Sequence, residues 1–256
     1  MTADRVVLVV GAAGGIGGAC ARAFAATGAR VAVADLRQEA VSGLAEELGH
    51  GATAHAVDVS DESSVRALIE TVESAHGGLD VLVNAAGLLR PAPFLDMDVD
   101  DWDRTFAVNG RGTFLLAQAA ARSFVRRTVP GRIVVYASIV ARIARPNNAA
   151  YCASKAAVVQ AVRCMALELA PLGITVNVVS PGSTATEMLL GTQMSGRSDA
   201  RETVIRGDLA GWRLGVPAGR LAEASDQAAA AVFLASSAAA HITGHELIVD
   251  GGQSLV

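Results

Sequence analysis

The stretch that decides the fold is RVVLVVGAAGGIGGACARAFAATGARVAVAD, residues 5–35. In it an apolar, β-branched run is followed by a glycine-rich turn, an alanine-rich stretch and a second apolar run that ends in an aspartate. This order predicts strand, tight turn, helix and strand, because two parallel strands need a crossover connection that is usually a helix. The stretch therefore predicts a βαβ unit.

The same alternation continues along the chain. The predicted strands are 5–11, 30–35, 53–59, 79–87, 132–138, 174–182 and 246–252. The predicted helices are 15–27, 38–48, 62–76, 101–124, 150–170 and 223–236. We therefore expect one α/β domain over residues 1–256, a Rossmann-type, doubly wound parallel sheet of about seven strands with helices on both faces.

Composition and charge narrow the classes of function. Hydrophobic residues make up 52% of the chain and charged residues 18%, which suits a large buried sheet. The formal net charge is -4 without a long basic block, so no nucleic acid is expected as a partner. Three cysteines without CxxC or Cys/His spacing argue against a disulfide framework and a metal site, and favour a reducing, cytoplasmic compartment. No membrane association is expected, because the first apolar run is too short to cross a bilayer.

The glycines Gly11, Gly15 and Gly17 follow the first strand with the spacing GxxxGxG. A turn without Cβ atoms adopts positive φ and brings N–H groups at the start of a helix close to a pyrophosphate. Tight packing of the strand against the helix would require the same glycines. The turn alone leaves both interpretations open.

Acidic residues at the ends of the next two strands favour the nucleotide interpretation. Asp35 and Asp58 lie at carboxyl ends, where parallel sheets bind ligands. A carboxylate at Asp35 would accept hydrogen bonds from the adenosine ribose and repel a 2′-phosphate, so NAD is the expected cofactor. Arg37 is the counter-argument, because a guanidinium could meet that phosphate.

A phenol and an ammonium share one face of the helix predicted over 150–170, at Tyr151 and Lys155. The ammonium favours phenolate over phenol, whose pKa is ordinarily about 10, and so suits Tyr151 to act as a general base. Ser138, at the end of the fifth strand, could hydrogen-bond to the same substrate oxygen. Taken alone, the pair is also typical of an amphipathic surface helix.

Taken together, these motifs resemble the short-chain dehydrogenase/reductase family from end to end. Besides the glycine turn and the YxxxK pair, the resemblance rests on NAAG at 84–87, FAVNGRG at 106–112 and SPGSTAT at 180–186. It implies a catalytic tetrad of Asn109, Ser138, Tyr151 and Lys155. Tyr151 would exchange the proton and Ser138 would orient the substrate oxygen. Lys155 would hold the ribose and lower the tyrosine pKa, and Asn109 would fix a water of the proton relay.

The resemblance also implies which residues hold NAD. They are Gly11, Gly15, Ile16, Gly17, Asp35, Asp58, Val59, Asn84, Gly87, Tyr151, Lys155, Pro181, Gly182, Thr184 and Thr186. Two positions depart from the family pattern: Val10, where threonine is usual, and Ala85, where many members have a second asparagine. Both are supporting positions of the pattern, so the stability of the turn is affected rather than the chemistry.

A narrower likeness is to the 2,3-dihydro-2,3-dihydroxybenzoate dehydrogenases of catechol-siderophore biosynthesis. The segments that carry it are VNAAGLLR (83–90), FAVNGRGTF (106–114), NVVSPGSTATEM (177–188), FLASSAAAHIT (233–243) and VDGGQSL (249–255). It implies NAD-dependent oxidation of a cyclic dihydrodiol carboxylate to a catechol. Alternative substrates are an acid like dihydro-hydroxyanthranilate or another secondary alcohol. A protein that senses the cofactor without turnover is the alternative from a different class.

A substrate carboxylate requires a cation in an otherwise apolar pocket, because a buried carboxylate without a partner is costly. Arg90, which follows NAAGLL, and Arg145, shortly before Tyr151, are the candidates. Each could instead be a surface ion-pair partner. Met188 is expected to contact the substrate.

Two expectations concern larger parts of the chain. Residues 183–222 contain no predicted strand, and within them 188–212 mix glycines with apolar side chains. We expect that segment to form a lid over the substrate, the alternative being a surface loop. By family analogy the protein is expected to form a homotetramer through helices 101–124 and 150–170 and through the last strand.

Overall fold

A seven-stranded parallel sheet forms the centre of the molecule in the computed structural model, which describes residues 4–193 and 200–255. In chain order the strands are β1 (Val6–Val10), β2 (Arg30–Asp35), β3 (Thr53–Ala56), β4 (Val81–Asn84), β5 (Arg132–Tyr136), β6 (Thr175–Pro181), β7 (Gly207–Asp208), β8 (Arg213–Leu214) and β9 (Glu246–Val249). The sheet has the order β3-β2-β1-β4-β5-β6-β9, while β7 and β8 form a separate antiparallel ribbon. All seven predicted strands are confirmed, and the doubly wound topology with them.

Helices cover both faces of the sheet. They are α1 (Gly15–Ala25), α2 (Gln38–Leu48), α3 (Glu62–His76), α4 (Val99–Phe106), α5 (Gly112–Arg127), α6 (Ala149–Leu169), α7 (Glu187–Gln193), α8 (Ala200–Arg206) and α9 (Ala224–Ala235). Side chains of α3, α5 and α6 pack on one face, and those of α1, α2 and α9 pack on the other. Alternate residues of β1 enter the two cores, so the whole strand is apolar and buried, as expected of a parallel sheet.

The helix predicted over 101–124 is interrupted. Between α4 and α5 the residues Ala107–Arg111 form a turn of π-helix, which includes the buried Asn109. A turn of this kind inserts one residue into the helical repeat and occurs often at functional sites. Apolar periodicity does not reveal it, because both flanking segments keep helical spacing.

Residues 183–222 are more regular than expected. Within the described part they contain α7, α8 and the ribbon β7–β8, so the expectation of no strand was wrong. The error has a physical reason: each ribbon strand has two residues, too few for a period-of-two pattern to be recognised. In the described ranges, no helix combines the length and the apolar character that a bilayer crossing requires.

The strand order reverses between β1 and β4, because the chain crosses from β3 at one edge back to the middle of the sheet. At such a switch point the loops after neighbouring strands diverge and leave a crevice at their carboxyl ends. The glycine turn after β1 and the segment after β4 border this crevice. The fold thus brings the predicted site segments to one edge of the sheet.

Candidate active site

A cleft opens at the carboxyl ends of the strands on the β4–β5–β6 side of the switch point. Of the residues predicted from the sequence, those in its wall are Ile16, Gly87, Ser138, Arg145, Tyr151, Lys155, Pro181, Gly182, Thr184, Thr186 and Met188. Apolar side chains, including Leu89, Ile139 and Val140, cover much of the remaining wall. The cleft therefore combines an apolar lining with a small number of polar groups, as small-molecule sites do.

Ser138 and Tyr151 both lie in the wall of this cleft, where the Ser138 side chain stabilises the phenolate of Tyr151. Ser138 begins a short turn of 3₁₀-helix after β5, and Tyr151 lies in the first turn of α6. Burial raises the pKa of Tyr151 to about 12, against the opposing effect of the Ser138 hydrogen bond. The net shift is thus upward, contrary to the lowering implied by the resemblance, because desolvation of the phenolate outweighs its stabilisation.

Lys155 lies one helical turn after Tyr151, and its ammonium is buried. The Nζ atom donates a hydrogen bond of 2.8 Å to the main-chain oxygen of Tyr136 and lies 5.7 Å from the centre of the Tyr151 ring. Burial lowers the pKa of Lys155 to about 8. The ammonium is therefore held at a fixed distance from the phenol by the end of β5.

Asn109 clamps the chain that leaves β4. Its Oδ1 accepts a hydrogen bond from the Leu88 amide at 2.8 Å, and its Nδ2 donates to the Leu88 oxygen and to Ser154 Oγ, both at 3.0 Å. These bonds tie the π turn to β4 and to the helix that carries Tyr151. Asn109 lies behind the cleft wall rather than in it.

Thr113 is a supporting residue that sequence reasoning missed. Its Oγ1 accepts a hydrogen bond from Asn84 Nδ2 at 3.0 Å and donates to the Asn109 main-chain oxygen at 2.6 Å. The other end of the Asn84 amide accepts from the Ala86 amide at 3.1 Å. Thr113 follows Asn109 by four residues, and this helical spacing was the available signal.

The glycine turn needs its glycines for packing. Gly11 has φ +80°, and a Cβ there would lie 2.5 Å from the Ala86 nitrogen. A Cβ at Gly17 would lie 2.1 Å from the Gly11 oxygen, so close packing alone excludes side chains at both. At the start of α1, however, the N-cap residue Gly14 provides no side-chain cap. The N–H groups of the first turn are then available to an anion such as a pyrophosphate.

Asp35 and Arg37 form a small cluster beside the glycine turn. The Asp35 carboxylate accepts hydrogen bonds from the amides of Ala13 at 3.2 Å and Arg37 at 3.1 Å. The Arg37 guanidinium donates to the Ala13 oxygen at 3.0 Å, and its Nε lies 3.8 Å from Asp35 Oδ1. The carboxylate is mostly buried, whereas the guanidinium is largely exposed. The carboxylate is thus held in place by main-chain amides, whereas the guanidinium lies over it on the surface.

Asp58 and Val59 follow β3, which ends three residues earlier than predicted, at Ala56. Asp58 is exposed, and its Oδ1 accepts bonds from the amide and hydroxyl of Ser60 at 2.9 and 2.7 Å. Val59 is buried against α5, where a Cβ at Gly112 would lie 2.9 Å from Val59 Cγ2. This pair lies on the side of the crevice that faces away from Tyr151.

The segment after β9 brings a missed residue, Gln253, into the cleft beside the loop after β6. Gln253 lines the wall, and its Oε1 accepts a hydrogen bond from the Ser183 amide at 2.9 Å. Gly182 is required there, because its Cβ would lie 2.6 Å from Asp250 Cβ. Thr184 is held by Gln227, whose Nε2 donates to Thr184 Oγ1 at 3.2 Å. Long-range contacts of this kind leave no signal in the local sequence.

Among the residues that the structure describes, two arginines line the cleft, and Arg90 is not one of them. Arg145 lies in the wall, and so does Arg213 of the ribbon, which sequence reasoning missed. Burial and the positive charge of Arg213 both lower the pKa of Arg145. Arg90 instead forms an ion pair with Asp101, at 3.4 Å from Nε to Oδ1, and does not occur among the described residues of the wall.

The predicted lid is described in part. Residues 194–199 lie outside the described residues. On either side of them, Met188 and Leu189 of α7, Val204 of α8 and Leu214 of the ribbon all line the cleft. The described part of the segment thus contributes apolar wall and the guanidinium of Arg213 to the cleft.

Comparison with known proteins gives full-length matches. The family described as enoyl-(acyl carrier protein) reductase matches residues 11–254. A D-threitol dehydrogenase of Mycolicibacterium smegmatis is 42% identical over 98% of this chain and 93% of that protein. A 2,3-dihydro-2,3-dihydroxybenzoate dehydrogenase of Bacillus subtilis is 38% identical over 98% and 96%. The structure of a 3-ketoacyl-(acyl-carrier-protein) reductase from Brucella melitensis complexed with NADH has a TM-score of 0.88 at 35% identity, covering 98% and 99% of the two chains.

Proposed function

Because the chain belongs to the short-chain dehydrogenase/reductase family and is an oxidoreductase acting on CH–OH groups, we propose that it oxidises 2,3-dihydro-2,3-dihydroxybenzoate to 2,3-dihydroxybenzoate with NAD. The observation that carries the choice of substrate is the pair of guanidinium groups in the cleft wall, Arg145 and Arg213. The mutual influence of these cations argues for an anionic ligand between them.

The electrostatic argument is direct. Two like charges in an apolar cleft destabilise each other, which is why the charge of Arg213 lowers the pKa of Arg145. A carboxylate would relieve this repulsion and gain charge-assisted hydrogen bonds from both. An uncharged polyol would form no such charge-assisted hydrogen bonds. Arg90, with its partner Asp101, is the weaker candidate for this role.

The walls suit a six-membered ring. Leu89, Ile139 and Val140 supply apolar surface beside Ser138 and Tyr151. A flat ring would bury its faces against such side chains while its hydroxyl reaches the two polar groups. This arrangement is consistent with a cyclic substrate.

The catalytic roles follow from the contacts of Ser138, Tyr151 and Lys155. Tyr151, as phenolate, would take the proton of the reacting hydroxyl, and Ser138 would hold the same oxygen by a hydrogen bond. The positive charge of Lys155 would favour that phenolate. NAD, when bound, supplies the acceptor for the hydride that leaves the carbon bearing the reacting hydroxyl. The resulting dienone would tautomerise to the aromatic catechol. Asn109 would act behind them, by fixing Leu88 and the π turn.

The residues proposed to hold NAD fit that group. The uncapped start of α1 offers N–H groups to the pyrophosphate, and Asp35 offers a carboxylate to the adenosine ribose. Asp58, Val59, Asn84 and Gly87 would border the adenosine half. The loop from Pro181 through Gly182 and Thr184 to Thr186 would hold the nicotinamide half.

A second candidate is oxidation of an open-chain polyol, favoured by the 42% identity to the D-threitol dehydrogenase. The Ser138–Tyr151 pair and the buried Lys155 would serve that reaction equally well. They argue at the same time against a cofactor sensor without turnover. The charge of the substrate is what separates the two candidates.

The deciding experiment offers the purified protein NAD with 2,3-dihydro-2,3-dihydroxybenzoate, its decarboxylated diol, cyclohexanol and D-threitol, and follows NADH and catechol formation. We expect a strong preference for the carboxylated diene. Equal rates with the uncharged alcohols, or faster oxidation of D-threitol, would contradict the proposed substrate.

Two proposals concern the molecule beyond the cleft. Segment 188–212 would close over the bound substrate, and amide hydrogen exchange there should slow when NADH and product are both added. Exchange that stays equally fast would indicate that the segment is a surface loop.

The groove along α5 and α6, with the half-exposed Phe114 and Val125, would form part of the interface of a homotetramer. We propose that this assembly forms in the cytoplasm. Measuring the molar mass of the purified protein in solution tests the oligomeric state.

A further inference from the structure

The side chain of Asn148 forms no capping hydrogen bond to α6, the helix that follows it. Asn148 is the N-cap residue of α6, three positions before Tyr151, and only 5% of it is exposed. Asparagine is favoured at N-caps because its side-chain oxygen accepts a hydrogen bond from the first turn. Here no such bond forms, and among the described residues Oδ1 has no hydrogen-bond partner although it is buried. The side-chain oxygen of Asn148 can therefore accept a hydrogen bond from a ligand.

The position of Asn148 points to a ligand. Asn148 lines the same cleft as Tyr151 and Arg145. A turn brings Asn148 next to Arg145, since the main-chain N–H of Asn148 donates a hydrogen bond to the main-chain oxygen of Arg145 at 3.3 Å. Buried polar atoms nearly always have a partner, and one that lacks it beside a reactive group calls for an explanation. A hydroxyl of the bound substrate would supply the missing partner.

Resting on the proposed function, we infer that the Asn148 amide hydrogen-bonds to the substrate hydroxyl next to the one that is oxidised. Arg145, Asn148 and Tyr151 follow one another at intervals of three residues. The proposed substrate carries its carboxylate and its two hydroxyls on three consecutive ring carbons. Arg145 binds the carboxylate, Asn148 the middle hydroxyl and Tyr151 the reacting hydroxyl. Asn148 is therefore a substrate-binding residue that selects vicinal diols.

The inference separates hydroxyl recognition from charge recognition. Asn148 acts on any substrate with a second hydroxyl beside the first, whether or not a carboxylate is present. Arg145 acts on any substrate with a carboxylate. A purely structural role of Asn148 in the turn before α6 would instead affect all substrates alike.

Four saturated probes test this separation: 2,3-dihydroxycyclohexanecarboxylate, 3-hydroxycyclohexanecarboxylate, cyclohexane-1,2-diol and cyclohexanol. For each, kcat/KM is measured with the unmodified protein and with Asn148→Ala; a probe that is not turned over is measured as an inhibitor of the best substrate. We expect Asn148→Ala to weaken both diols by about tenfold or more and to leave both monohydroxy probes unchanged. Asn148→Asp, which keeps an acceptor oxygen, should retain the preference for cyclohexane-1,2-diol over cyclohexanol.

The outcomes are distinguishable. An equal loss for all four probes, or no loss for the diols, would overturn the role of Asn148. So would an unmodified protein without preference for diols. Failure of the proposed function shows separately, as charged probes that are no better than uncharged ones. Thermal melting and NADH affinity show whether both variants are folded. If Asn148→Ala does not fold, the proposal is tested by Asn148→Asp and by the preference of the unmodified protein for diols over monohydroxy probes.

Discussion

At the scale of single residues, the environment of Tyr151 would set the rate of the proposed reaction. Its pKa, raised to about 12 by burial, leaves phenolate scarce at neutral pH, and its hydrogen bond to Ser138 and the nearby ammonium of Lys155 favour that form. Oxidation should therefore accelerate as the pH rises. The role proposed for Tyr151 also predicts what removal of its hydroxyl does to the rate.

Replacing Tyr151 by Phe should lower kcat by about 10²- to 10⁴-fold, because it removes the proton acceptor and little volume. NADH affinity, measured by fluorescence titration, should be retained. The matched control is Tyr136→Phe, which removes a buried hydroxyl bonded to the Gln227 oxygen at 2.8 Å but keeps the main-chain oxygen that holds Lys155. That variant should be less stable by about 1 kcal/mol and remain active. A Tyr151→Phe protein with most of its activity would exclude this base.

Cofactor choice also depends on one side chain. We expect NAD to be preferred because Asp35 presents a carboxylate where a 2′-phosphate would lie, and Asp35→Ala should narrow the NAD/NADP ratio of kcat/KM by about tenfold. Arg37→Ala, the neighbouring control, should leave the ratio high. Equal use of NADP by the unmodified protein would mean that the Arg37 guanidinium dominates.

At the scale of elements, the ribbon β7–β8 matters because it adds a cation to a cleft otherwise built on the sheet and on α6. Arg213 reaches the wall from a strand of only two residues, next to the antiparallel partner Asp208. Helices α7 and α8 add Met188 and Val204 to the same wall. Residues outside the main sheet and its covering helices thus complete this part of the cleft wall.

Removing the charge of Arg213 tests this contribution. Arg213→Gln should raise KM for 2,3-dihydro-2,3-dihydroxybenzoate by about tenfold or more with little change in kcat, because the carboxylate is bound equally in the ground and transition states. KM for cyclohexane-1,2-diol should not rise. Arg206→Gln, which removes an exposed guanidinium paired with Glu202 at 2.7 Å, is the control and should change neither value. A rise in KM for both substrates would indicate a structural role for Arg213.

At the scale of the whole molecule, two histidines couple stability to pH at the sheet edge. His55 and His76 both hydrogen-bond to Thr53 Oγ1, each at 2.8 Å. Burial is the main reason why the pKa of each histidine is lowered. The positive charge of Arg30 lowers the pKa of His76 further, and His76 lowers that of His55 further. Lowered values mean that the unfolded chain binds protons first as the pH falls.

The free energy of unfolding should therefore be fully retained above about pH 6.5 and decrease below it, by up to about 1.4 kcal/mol per pH unit for each histidine, until the folded-state pKa is reached. Urea unfolding between pH 5 and pH 8 measures this slope. His76→Gln should flatten it, whereas His241→Gln on the surface should not. An identical slope in the His76 variant would refute the coupling.

The sequence by itself determined the sheet and the position of the helix that carries Tyr151 and Lys155. Strand positions follow from apolar runs, and Tyr151 with Lys155 follows from the four-residue spacing of a helix. Gly11 was predictable because the spacing GxxxGxG directly after an apolar run is a local pattern. These features depend on neighbours in the chain, so a local pattern contains them.

Only the tertiary structure decided which distant side chains share the cleft. It brought Arg213 beside Arg145 and paired Arg90 with Asp101, although the sequence made Arg90 and Arg145 equivalent candidates. It also put Asn109 in a π turn and left the Asn148 amide oxygen buried without a partner in the described part of the chain. Each of these outcomes results from packing between segments far apart in the chain, and the burial and charge of such contacts have no signature in the local sequence.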